Sequence, residues 1–116
     1  MPSVEECREA IDRVSGRIME VDETDRRKHI VERSVSLVVK DLDTVFDMRL
    51  TGDGLQDVAS RPASSPGGRA QVRIALESED LIALAYDRLE LTKAMFSGRV
   101  KIDASFGDLM RLRKLL

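Results

Sequence analysis

Residues Ser78 to Ile102 read S-E-D-L-I-A-L-A-Y-D-R-L-E-L-T-K-A-M-F-S-G-R-V-K-I, and the pattern changes twice within them. Ser78 can cap a helix whose first turn carries Glu79 and Asp80, both favourable at the positive end of a helix dipole. Leu81, Ile82, Leu84, Ala85 and Leu89 then fall on one apolar side. A one-turn helix follows, with Thr92 as its cap and Met95 and Phe96 as apolar contacts, and Gly98 can take the left-handed conformation that stops it. From Arg99 to Asp103 the period drops to two, which turns Val100 and Ile102 inward on a short strand. A helix and a strand that must each bury one side predict an α+β layered fold.

Downstream, Ser105 caps a terminal helix with Asp108 at its third position, and Phe106, Leu109, Met110, Leu112 and Leu116 make a wide apolar face. Arg111, Arg113 and Lys114 sit at its negative end, where they complement the dipole. The same three cations can also meet anionic headgroups, as those of interfacial helices do.

Upstream, Val72, Ile74 and Leu76 alternate with Gln71 and Arg73, so the strand Gln71 to Leu76 precedes the helix. The stretch Arg61 to Arg69, RPASSPGGR, has no apolar periodicity and is a surface loop. Its Pro-Gly-Gly is no phosphate loop, because a Walker sequence needs Gly-Lys-Ser/Thr ahead of a helix and a strand follows here. Two further half-buried strands carry Val35, Leu37 and Val39, then Phe46, Met48 and Leu50, with a hairpin at Asp41-Leu42-Asp43. Thr51-Gly52-Asp53-Gly54 is a second tight turn, leading to a weaker strand at Leu55 to Ala59. The strands predict a mostly antiparallel sheet of about five, wet on one face and covered by helices on the other.

At the amino end, Ser3 and Glu6 form a capping box. Val4, Cys7, Ile11, Val14, Ile18 and Val21 follow at steps of three and four, an amphipathic helix ending near Asp22. The seam is short for a coiled coil, so packing on its own domain is expected. The chain therefore divides into a helix over 1–22, a charged linker over 23–33, and the sheet with its covering helices over 34–116, all within one domain of 116 residues.

Composition narrows the function. With 42% hydrophobic and 34% charged residues the chain is globular, and a net charge of −2 supplies no basic field for nucleic acid. No apolar run reaches the ~20 residues of a membrane span, and the acidic, polar start is unlike a signal peptide, so a cytoplasmic location is expected. His29 is the one histidine and lies in the charged linker, where it reads as a solvated side chain. Cys7, the one cysteine, falls on the apolar side of the first helix and reads as core. Neither a Gly-x-Ser-x-Gly elbow nor a His-Glu-x-x-His pair occurs. No catalytic residue, metal ligand or cofactor is predicted.

The stretch from Ser78 to Ile102 also resembles the sterol carrier protein type 2 family, in its free-standing bacterial form. Lys93, Ala94, Met95, Phe96, Ser97, Gly98 and Lys101 stand where that family carries a Lys-Ala-Phe-Met-like turn, a Ser-Gly and a lysine-rich strand. Asp103 and Ala104 stand where the family usually has glycine. The resemblance implies a non-catalytic protein with an apolar tunnel between sheet and helices, binding and transferring a lipid-like ligand: a fatty acid, an acyl-coenzyme A, a sterol-like molecule or a phospholipid. It implies a tunnel lined by Leu81, Leu84, Ala85, Met95, Phe96, Phe106, Leu109 and Met110. The cations of the C-terminal helix make transient membrane contact a further expectation. Monomer and homodimer both remain open. The alternative is an interaction or regulatory subunit with a collapsed cavity, docking on a partner enzyme or a second copy.

Overall fold

The computed structural model describes residues 1–115, excepting the side chains of Leu112, Lys114 and Leu115. Five strands form one mixed sheet: β1 (Arg33–Val39), β2 (Thr44–Thr51), β3 (Gly54–Pro62), β4 (Val72–Leu76) and β5 (Lys101–Asp103), in the spatial order β3-β2-β1-β4-β5. The β1-β2-β3 meander is antiparallel, β4 lies parallel to β1, and β5 runs antiparallel to β4. Four of the strands follow the alternation in the sequence, and their register gathers the apolar sides into rows. Val35 pairs with Met48 and Val72, Leu37 with Phe46 and Ile74, and Ile74 with Ile102. That face is covered by the helices, and α+β is the class observed.

The opposite face is held by small side chains and ion pairs. Arg61 Nε meets Asp47 at 2.6 Å and Arg73 reaches Asp103 on the neighbouring edge strand. Charged side chains on an edge strand also discourage pairing with another chain.

The helix α1 (Val4–Glu20) begins with the capping box that the sequence predicts, Ser3 accepting from the Glu6 amide and Glu6 from the Ser3 amide. It packs on β3 and on the helix α3 (Ser78–Ala85). Gly54 allows this close approach. Its φ is +95°, and a Cβ there would stand 2.5 Å from Ser15 Oγ, which accepts from the Leu55 amide.

Several local readings change. The segment read as a charged linker holds a short helix, α2 (Glu23–His29), because Asp22 caps it by accepting from the Thr24 amide. The weak third strand is longer than its alternation suggested, since a bulge at Asp57, with φ +55°, resets the pairing and lets β3 run to Pro62. Ser78 does not cap α3. Glu77 holds that position, and the Ser78 hydroxyl and amide both donate to Asp41 beside the 3-10 turn Lys40–Leu42. The next helix, α4, runs Leu91–Phe96 with Glu90, not Thr92, preceding it. Gly98, at φ +79°, takes the left-handed conformation expected of it. The last helix, α5 (Phe106–Leu115), starts as read, with Ser105 accepting from the Asp108 amide.

Candidate functional site

A cavity of about 610 Å³ lies between the sheet and the helices. Its floor is the row pattern just described: Val35 and Leu37 of β1, Met48 and Leu50 of β2, Val72, Ile74 and Leu76 of β4, with Ile102 of β5. Its roof comes from Ile11, Val14 and Ile18, one side of α1, and from Leu81 and Leu84 of α3. Apolar walls of this size suit a small apolar molecule, since pockets of this kind run roughly 300–1,000 Å³.

Every charged residue of the wall stands at one rim. Arg17 comes from the last turns of α1, Asp87, Arg88 and Glu90 from the connection between α3 and α4, and Lys93 from α4 itself. Two arginines of α1 fasten this connection: Arg13 Nε donates to the Ala85 carbonyl at 3.0 Å and Arg17 Nη1 to the Leu84 carbonyl at 3.1 Å. Both place a cation at the negative end of α3. Arg17 also meets Asp87 at 2.9 Å, and the Arg13 guanidinium lies 4.4 Å from the centre of the Tyr86 ring. Asp87 itself sits at φ +60°, which ends α3 a turn before the apolar Leu89.

Buried polar groups hold the frame around the cavity. Asp80 takes two bonds from Arg99, which fixes the approach to β5 against α3. The Asp41 carboxylate is held below the usual range by the Ser78 hydroxyl. For Asp108, burial pushes the carboxyl up, but bonds from Arg33, Ser105 and Arg111 outweigh it and leave the group below its ordinary value. Arg33, from β1, thereby moors α5, while Arg111 pairs with Asp108 within the helix. Cys7 is fully buried, and burial, with the charges of Asp41 and Glu6, pushes its thiol up to about 11. A thiol so protonated is a poor nucleophile. His29 is half-buried in the last turn of α2. Among the described residues no three His, Cys, Asp or Glu side chains gather as a metal would require.

Of the eight residues that the resemblance assigned to a tunnel, Leu81 and Leu84 stand in this wall. Ala85 is fully buried behind it. Phe96 is 89% and Phe106 78% exposed, Met95 and Met110 are exposed too, and Leu109 is half-buried; none of these five borders the cavity. The strand residues that form the floor were legible as a buried face but carried no sign of an empty space above them.

The model of the SCP-2 sterol transfer family matches residues 5–116. The chain belongs to this family. A search of curated proteins finds no match. Among solved structures, sterol carrier protein 2 like 2 from Aedes aegypti is 15% identical with a TM-score of 0.65, covering 98% of this chain and 100% of that one. Its palmitated form in solution is 18% identical with a TM-score of 0.63, over 98% and 94% of the two chains. The sec-alkylsulfatase Pisa1 from Pseudomonas sp. is 24% identical with a TM-score of 0.59 over 85% of this chain. This sterol carrier domain spans only 15% of that enzyme's length. No helix among the described residues is long and apolar enough to cross a membrane.

Proposed function

We propose that this sterol carrier domain binds a lipid-like molecule in the 610 Å³ cavity and carries it without making or breaking a bond. The observation that carries the reading is the wall itself. Thirteen apolar side chains named above border the cavity on one side while packing in the core on the other, and apolar surface is stabilised when a ligand takes the place of water there. The family membership and the palmitated Aedes aegypti relative support the same reading. Leu81, Leu84 and the floor of Val35, Leu37, Met48 and Ile74 are the proposed contact residues. A cytoplasmic carrier of this kind needs no cofactor.

The test is extraction of purified protein with organic solvent and mass spectrometry of the extract, together with titration by a fluorescent fatty acid. A bound single-chain lipid or saturable binding is expected. Protein that is always empty and binds no probe overturns the reading.

A second reading has one observation in its favour: a domain like this forms part of the much longer alkylsulfatase. In that reading the domain serves an enzyme as a docked module. Co-purification and light scattering separate the two, since a carrier remains free and a module is recovered with its enzyme.

A further inference from the structure

The charged rim has a second use, which rests on the binding reading above. We propose that Arg17 selects ligands with an anionic head, and that Asp87 occupies its place until such a head arrives. Arg17 is the one charged residue that α1 contributes to the wall, and its side chain is only 33% exposed. One of its guanidinium nitrogens is committed to the Leu84 carbonyl, which fixes the group at the rim, while the other meets Asp87. The Asp87 side chain is 70% exposed. An ion pair so open to water is worth little, and its loss is easily compensated by solvent.

A ligand whose chain is already held in the cavity presents its head at high local concentration, so exchange of one carboxylate for another at Arg17 is favourable. The rest of the rim agrees in sign. Glu90 has Lys93 at 3.9 Å, whereas among the described residues Arg88 faces no carboxylate and lies over the Tyr86 ring at 5.8 Å from its centre. Three cations against two anions leave the rim positive. The α3 carbonyls that would repel an anion are already covered by Arg13 and Arg17.

Displacement of Nile red, a neutral probe, by dodecanoate, dodecyl phosphate and dodecanol below their micellar concentrations tests the proposal in the full chain. Either anion is expected to bind about tenfold more tightly than dodecanol, as charge-assisted bonds allow, and less so in high salt. Which anion binds better separates a carboxylate from a phosphate head. Arg17→Met keeps the apolar stem and should bring both anions down to the affinity that dodecanol has for the same variant. Asp87→Asn removes the competing charge, and asparagine tolerates positive φ; it should strengthen binding of both anions about threefold. Equal binding of all three compounds, or an equal loss of all three in Arg17→Met, overturns the selection by Arg17 but not the carrier. Binding of none overturns both.

Discussion

The first helix crosses two unlike regions of one apolar layer. Cys7 and Ala10, in its first turns, are fully buried, as are Val39 and Phe46 of the sheet beneath the same layer. Ile11, Val14 and Ile18 continue along the helix, yet they border open space together with Leu37, Met48 and Ile74. Small side chains at the start let the helix approach the sheet, and the larger ones after them stand across the cavity from the floor. The difference teaches that this core has a filled part, which supplies stability, and a hollow part, where the proposed ligand would sit.

Truncation should separate the two parts most strongly. Phe46→Ala removes a side chain surrounded on all sides and should cost about 3–5 kcal/mol, whereas Leu37→Ala, beside existing empty space, should cost about 2 kcal/mol. Urea unfolding measures both, and equal losses would erase the distinction.

Filling the hollow part is the converse experiment. Ile74→Trp should lower binding of a fluorescent fatty acid more than tenfold, because the indole occupies the ligand's volume. The same change should shift stability by no more than about 1 kcal/mol, since overpacking costs arise where no space exists. A stable protein that still binds the probe would place the ligand elsewhere.

How much of this was legible in the sequence follows from the same comparison. Alternation at Val35, Leu37 and Val39 and at Phe46, Met48 and Leu50 identified the buried face of the sheet, because a period of two needs only local information. Ser3 and Glu6 likewise identified the start of α1. Filled and hollow regions use the same residue types, so no pattern could tell Phe46 from Met48. The mooring of α3 by Asp41 joins residues far apart in the chain, and a serine before an acidic turn resembles a cap whether or not it caps. The rim was missed because Arg17 and Asp87 look like ordinary surface charges until the fold brings them together.

The filled part also predicts a response to alkali. In the folded chain Cys7 keeps its proton up to about pH 11, against an ordinary 9.0. Below pH 9 the thiol is protonated in both states and its contribution is intact; above it the unfolded chain ionises first, and stability falls as the pH rises towards 11. Cys7→Ala should remove this component of the decline in urea midpoints. An unchanged pH profile would mean that water reaches the thiol and that the filled part is looser than its burial implies.

The smallest effect is expected outside both regions. Phe96 on α4 and Phe106 on α5 are apolar at positions that a helical period assigns to a buried side, but each helix presents them to solvent. α4 has six residues and buries only Ala94, so one small contact orients it and Phe96 is left outside. α5 is oriented by Arg33 of β1 on Asp108, a polar anchor that does not require Phe106 to turn inward. Phe96→Ser and Phe106→Ser should therefore each change stability by less than about 0.5 kcal/mol, as surface substitutions do, and leave probe binding within twofold of the parent. Loss of probe binding in either variant would show that its phenyl ring reaches the probe, extending the hollow part to a further wall.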